Sequence, residues 1–298
     1  MKKTGKYINP FTDFGFKKLF GNEFNKDLLI DFLNEVLGRE EKILDLKYLT
    51  TEQMGKIKEE RHAIFDLYCE SESGEKIIVE LQNIKQTYFK DRSIYYSTFP
   101  LQGQAPKGDK WNYHLKPVYM VGILNFSFPD STQGRYLREI YLMDKKTKEV
   151  FYDRFALYFL EVSQFNKNEE ELGTNFDKWM FILKNLHQLE RIPEKLQTKI
   201  FEKLFKAAEV SNLSPEEMKK YEESLKDHWD QYSILETAKN EAKLEGKIEG
   251  KEEGKLEGKI EIAINLIKEG NDNHFISKIT GLSIQKIEEL RQGLKSNR

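Results

Sequence analysis

The sequence predicts an α/β protein: a mixed-sheet core, then an all-α region, then a small C-terminal helical module. Three observations carry this prediction. Apolar and polar residues alternate with period 2 over 63–71 and 77–84, which marks two strands joined by a turn. Residues 118–126 are almost uniformly apolar and rich in β-branched side chains, as a strand buried on both faces requires. From 175 to 232 the apolar spacing becomes wholly helical.

Taken in order, Asn9-Pro10 signals a turn, and residues 14–37 carry helical periodicity through Phe16, Leu19, Phe20, Leu28, Leu29, Phe32, Leu33 and Val36. Gly21-Asn22 interrupts it and Gly38 follows it, so two helices are expected, the second stopped by glycine. Residues 43–49 read as a strand ahead of the hairpin. Residues 85–101 return to helix and are rich in aromatics. Beyond the run at 118–126, residues 140–142 and 155–162 supply further strands. In the helical region Phe176, Trp179, Met180, Leu183 and Leu186 form one stripe, and Leu196, Ile200, Leu204 and Phe205 a second. Trp and Met at this spacing read as core. Ser214-Pro215-Glu216-Glu217 opens a third helix, with serine as N-cap and proline at the first helical position.

The hairpin carries the constellation of chemical interest. Matching its apolar rows sets Phe65 against Leu81, Leu67 against Val79 and Cys69 against Ile77. That register needs the loop Glu72-Ser73-Gly74, a type I turn closed by a left-handed glycine. Asp66 then lies across from Glu80 and diagonal to Gln82, with cross-strand neighbours about 4.5–5.5 Å apart. Two carboxylates this close repel, and a divalent cation relieves them; oxygen donors suit Mg²⁺ or Mn²⁺. The alternative is a half-solvated hairpin whose acids face water.

Composition narrows the classes. The 298 residues suffice for one substantial core plus smaller modules. A net charge of −2 excludes a uniformly basic nucleic-acid coat, so any such contact must be local. The single cysteine, Cys69, falls on the apolar side of its strand and reads as a buried hydrophobe in a reducing compartment. No apolar run reaches the roughly 18 residues that span a bilayer, and the start MKKTGKYINPFTDF lacks the apolar region of a secretory signal. A cytoplasmic protein with no membrane contact is expected.

Residues 244–261 repeat every four positions as LEGK, IEGK, EEGK, LEGK. Glycines and like charges recur at i,i+4, and both weaken an isolated helix. The segment therefore either pairs with a second copy along its glycine row or serves as a solvated, extensible linker. Residues 262–298 resemble a miniature helix-turn-helix, with ITGLSIQKIEEL supplying the glycine turn and apolar spacing. Its last helix exposes Gln285, Lys286, Glu288, Glu289 and Arg291; the two acids suit a phosphate-lined groove poorly. DNA binding and dimerisation both stay open for this module.

TDFGFKKLFG at 12–21, FDLYCESESGEKIIVELQ at 65–82, FKDRSIYYSTF at 89–99 and KPVYMVGILNF at 116–126 together resemble the Rpn family. These are recombination-promoting nucleases/transposases of the PD-(D/E)XK nuclease superfamily. The resemblance covers roughly residues 8–235 and implies a restriction-endonuclease-like mixed sheet flanked by helices. Together with the repeat and the terminal module read above, the chain divides into a nuclease-like core (1–165), a helical extension (166–235), a Gly-Glu-Lys repeat linker helix (236–261) and the helix-turn-helix-like module (262–298). The resemblance also implies a Mg²⁺-dependent DNA endonuclease, with Mn²⁺ as a substitute, in which Asp66 and Glu80 are metal ligands and catalytic residues. Gln82 stands where the superfamily pattern has lysine. A neutral amide cannot act as a general base, although it can orient water by hydrogen bonding.

Lys85 or Lys17 is a candidate for the missing cation, and Asp13 for an additional acid, with N-terminal capping as its alternative. Lys85, Lys90 and Arg92, interleaved with Tyr88, Tyr95 and Tyr96, form a candidate nucleic-acid surface, Arg92 foremost. The expected activity is DNA cleavage of low sequence specificity in recombination, mobile-element biology or phage defence. A catalytically weak or inactive DNA-binding scaffold regulated through its C-terminal module is the alternative, and an RNA-directed nuclease differs only in substrate. A homodimer through the repeat helix or the terminal module would pair two active sites for cutting both strands.

Overall fold

Strands that are apolar on both faces need cover on both sides, and the chain provides a group of helices for one face and a single helix for the other. The computed structural model describes residues 5–53, 63–105 and 112–296. The chain forms two compact units, Met1–Tyr232 and Ser233–Arg298.

In the first unit, helices α1 (Asp13–Phe20) and α2 (Lys26–Leu37) occupy the predicted helical stretch and break at Gly21-Asn22. Thr12 caps α1, its hydroxyl accepting from the Gly15 amide at 3.0 Å. Gly38 ends α2 at φ +58°, the left-handed region that glycine enters freely. The strands are β1 (Leu46–Tyr48), β2 (Glu52–Gln53), β3 (Ala63–Ile64), β4 (Leu67–Ser71) and β5 (Lys76–Gln82). Helix α3 (Phe89–Gln102) follows, then β6 (Val118–Leu124), β7 (Leu137–Met143) and β8 (Val150–Glu161). Helices α4 (Asn175–Asn185) and α5 (Lys199–Ala208) come next, and α6 (Pro215–Lys268) begins in the first unit.

One six-stranded sheet has the order β1-β4-β5-β6-β8-β7, while β2 and β3 pair separately. Strands β5, β6 and β8 run parallel; the flanking pairs are antiparallel. One face of this mixed sheet presents Leu67, Cys69, Val79, Val121 and Tyr158 to α1, α2, α4 and α5. There Phe20, Phe32 and Phe201 surround Trp179 with ring centroids 5.2–5.8 Å away, and Trp179 Nε1 donates to Asp31 at 2.7 Å. Trp179 and Met180 are core, as their spacing predicts. The opposite face presents Tyr68, Ile78, Met120 and Phe159 to Phe89 of α3. Gly122 on β6 makes room for this layer, since a Cβ there would meet Phe159 at 2.8 Å.

The hairpin has the register that its apolar rows demand: Leu67 pairs with Val79 and Cys69 with Ile77. Its loop is Glu72-Ser73-Gly74, with Gly74 at φ +86° donating its amide to Ser71 at 2.9 Å. Four expectations need correction. The strand over 63–71 is not continuous; it breaks at Phe65-Asp66, and β3 leaves to pair with β2. Phe65 consequently packs with Tyr68 and Tyr96 on the α3 face rather than beside Leu67. The strand expected over 43–49 is confined to β1. The helix expected from Lys85 begins at Phe89, leaving Lys85 in the preceding loop.

In the second unit the repeat is helical, forming the later part of α6 with most of its residues exposed. Helices α7 (Asn273–Thr280) and α8 (Ile284–Ser296) join across Gly281 at φ +70°. Asp272 caps α7, and the Ser283 hydroxyl accepts from the Lys286 amide at 3.2 Å. Ala263, Ile267, Ile276, Leu282 and Ile287 make the small core that holds these helices to the end of α6.

Candidate active site

The acid pair sits where the hairpin ladder gives out. Asp66 occupies the bend before β4, and its backbone amide donates to the Glu80 carboxylate at 3.2 Å. In return, Asp66 Oδ2 accepts from the Leu81 amide at 2.7 Å. The side chains thus replace the ladder bonds that a continuous strand would have made, which is why breaking the strand brings the acids together. Glu80 points to the α3 face of β5 and is only 3% exposed. The Gln82 amide donates to Glu80 at 3.4 Å, so this side chain braces one acid without adding charge.

Electrostatics follow from this burial. Desolvation, followed by the neighbouring Asp66, pushes Glu80 up to about 8. Desolvation also raises Asp66, opposed by the Leu81 hydrogen bond and the charge of Lys17. Among the described residues, Arg92 is the cation whose field favours ionisation of both acids. It lies on α3 over the Phe89 and Tyr96 rings, each 5.5 Å away, and donates to Gln86 at 2.5 Å.

Asp66 and Gln82 open onto a cleft of about 400 Å³, lined also by Asp13, Asn83, Gln86 and Gln231. Asp13 is the first residue of α1 and pairs with Lys17 at 2.7 Å. Capping is done by Thr12, so the capping alternative for Asp13 does not hold. Lys85 is exposed in its loop and does not line the cleft. Lys90 is engaged elsewhere, by Asp130 at 3.5 Å and by the Phe128 ring at 5.0 Å.

Asn83, Gln86 and Gln231 escaped the sequence reading. Gln231 reaches the cleft only through tertiary tethers of α6: Tyr221 accepts from the Asn9 amide at 2.9 Å and Ser224 from the Phe14 amide at 3.1 Å. Asn83 adjoins β5 and was within reach of sequence reasoning. Its Nδ2 donates to Phe11 at 2.8 Å, while its buried Oδ1 has no hydrogen-bond partner among the described residues.

These groups fit a hard divalent cation. Two carboxylates, Glu80 buried and Asp66 half-buried, lack a cation bonded to them among the described residues, an amide oxygen beside them is unsatisfied, and every donor is oxygen. No group of three or more His, Cys, Asp or Glu forms a metal cluster among the described residues. The oxygens gathered here are those of the acid pair and of neutral amide side chains.

A mixed sheet covered by helices on both faces is the restriction-endonuclease-like class of α/β fold. The chain belongs to the PD-(D/E)XK nuclease family transposases, whose family model matches residues 10–238. Membership supports a nuclease- or transposase-related role and a hydrolase of that type. A search of curated proteins and a search of solved structures return no match.

Proposed function

We propose that this protein is a Mg²⁺-dependent DNA endonuclease of low sequence specificity, with Mn²⁺ as a working substitute. The observation that supports this best is the Asp66–Glu80 pair, in which burial, and then repulsion from Asp66, pushes Glu80 up to about 8. Asp66 and Glu80 would hold the ion. Bound there, it supplies Lewis acidity, making water a better nucleophile at neutral pH and offsetting charge that builds on phosphorus.

The chain's own groups do the remaining work. Gln82 fixes the Glu80 carboxylate and has an amide oxygen able to orient a water, but carries no proton-accepting nitrogen. Arg92 provides the positive charge that a lysine at position 82 would have contributed, and contacts the phosphate being cleaved. Lys17 balances Asp13 and tempers the field at Asp66. Low specificity is supported by the chemistry of the contacts, since Lys and Arg on phosphates position a duplex without reading its sequence.

The setting follows from the same reading: recombination, mobile-element biology or phage defence, in the cytoplasm. One buried free cysteine suits a reducing compartment, and no helix among the described residues is long and apolar enough to cross a membrane. Two copies would cut both strands, and the exposed row Leu244, Ile248 and Leu256 on α6 offers an apolar stripe for pairing them.

Plasmid nicking tests the function. Wild-type protein should nick with Mg²⁺ and not with EDTA, and Asp66→Ala and Glu80→Ala should each lower the rate at least about 100-fold. Cleavage persisting in both variants removes this site. DNA binding without metal-dependent cleavage in the wild type replaces the nuclease with the scaffold reading.

A further inference from the structure

Beside the acid cleft lies a larger one, about 1290 Å³, and the two share Asp13. Its walls come from α1, the turn at Glu23–Asn25, α5 and the start of α6, and they carry Lys17, Lys18, Lys203, Lys206 and Lys220. Four acids also line it: Asp13 and Glu217 pair with Lys17 and Lys18 at 2.7 and 2.5 Å, and Glu223 and Asp227 lie further along, while Lys203 pairs with Asp27 at 2.6 Å. Lys206 and Lys220 are exposed and enter no salt bridge among the described residues.

Phe24 stands on the rim, 89% exposed. Single exposed apolar side chains are common, but the backbone under this one is pinned from three sides. Asn22 Oδ1 accepts from the Asn25 amide at 3.1 Å, Asn25 Nδ2 donates to Lys18 at 2.9 Å, and Lys203 donates to the Phe24 carbonyl at 2.6 Å. With the backbone fixed, only the two side-chain torsions of Phe24 remain to be ordered when something stacks on the ring. Lysines alone serve any polyanion; lysines beside a flat aromatic select a polyanion whose units carry π-faces. Bases inside a duplex are already stacked on their neighbours, so the ring suits an unpaired one.

We propose that this cleft carries a DNA strand toward the acid pair, with Lys206 and Lys220 on phosphates and Phe24 stacked on an unpaired base. This rests on the nuclease reading above for the identity of the strand. The full chain, with EDTA present to prevent cleavage, is titrated against a fluorescein-labelled single strand of mixed sequence and against its duplex. Anisotropy is read across a salt series. Phe24→Ala should weaken single-strand binding roughly tenfold and duplex binding no more than about twofold. Lys206→Glu combined with Lys220→Glu should weaken the single strand and lower the slope of log affinity against log salt by about 1.4, for two lost phosphate contacts.

These side chains are exposed, and circular dichroism verifies that the variants fold. Wild-type affinity and salt slope in both variants overturn the proposal, whatever the nicking assay shows. Equal losses for single strand and duplex in Phe24→Ala also overturn it, because base stacking would then play no part. If nicking fails while both variants lose single-strand binding as expected, the nuclease reading falls and the strand path stands.

Discussion

Two acids brought together in a desolvated site resist ionisation, and both Asp66 and Glu80 are raised. In the metal-free protein the Glu80 pKa is raised from 4.5 to about 8, by burial and then by Asp66. The folded state therefore binds a proton that the unfolded state has released between these values. Stability from this group is fully present below about pH 4.5 and is lost as pH rises through about 8. Melting temperature in EDTA should fall across that window, and the fall should be shallower in Asp66→Asn, which leaves burial as the main cause. A profile equally steep in both proteins would separate Glu80 from Asp66. At this scale much was legible in the sequence, since period-2 alternation, with the register fixed by the apolar rows and the three-residue loop, puts Asp66 and Glu80 on one face. Phe65 misled because its face depends on a bend, and the bend exists only because Asp66 and Glu80 take over ladder hydrogen bonds. Gln231 was invisible for a different reason: nothing local relates it to β5, and only packing of α6 on the residues around Asn9 and Phe14 does.

Among the elements, the β4–β5 hairpin governs the site because its register decides which residue faces Glu80. Gly74 holds the turn at φ +86°, where an added Cβ meets only ordinary contacts with Lys116 at 3.5 Å. Gly74→Ala should accordingly cost about 1–2 kcal/mol through backbone strain, read as a lower melting temperature with nicking retained below it. Loss of nicking in protein that still melts cooperatively would mean that the register itself had slipped. The hairpin was legible because turn chemistry and apolar rows pointed to the same pairing. The start of α3 was less so: Lys85 lies among polar residues with no capping signal, and burial of Phe89 against the sheet sets where the helix begins. The repeat was read through glycine and like-charge costs, yet α6 runs through it, ending in the apolar core that Ala263 and Ile267 share with α7 and α8.

For the molecule as a whole, family membership and a two-faced mixed sheet define the class, while the proposed chemistry turns on two carboxylates and the neutral Gln82 beside them. The sequence predicted the class from blocks of residues spread over the first 126 positions. It could not show that Arg92, rather than Lys85, would be the cation whose field reaches both acids, because that depends on how α3 lies across the sheet. If the pair is a metal site, cation binding must displace the proton that Glu80 retains near neutral pH. Calorimetric titration of Mn²⁺ at neutral pH, repeated in buffers of different ionisation enthalpy, measures binding and proton release together. The expected result is binding with release of a substantial fraction of a proton in the wild type, and loss of both in Asp66→Asn and Glu80→Gln. Equal Mn²⁺ affinity in all three proteins, or binding without proton release, would contradict the assignment of this pair as the metal site.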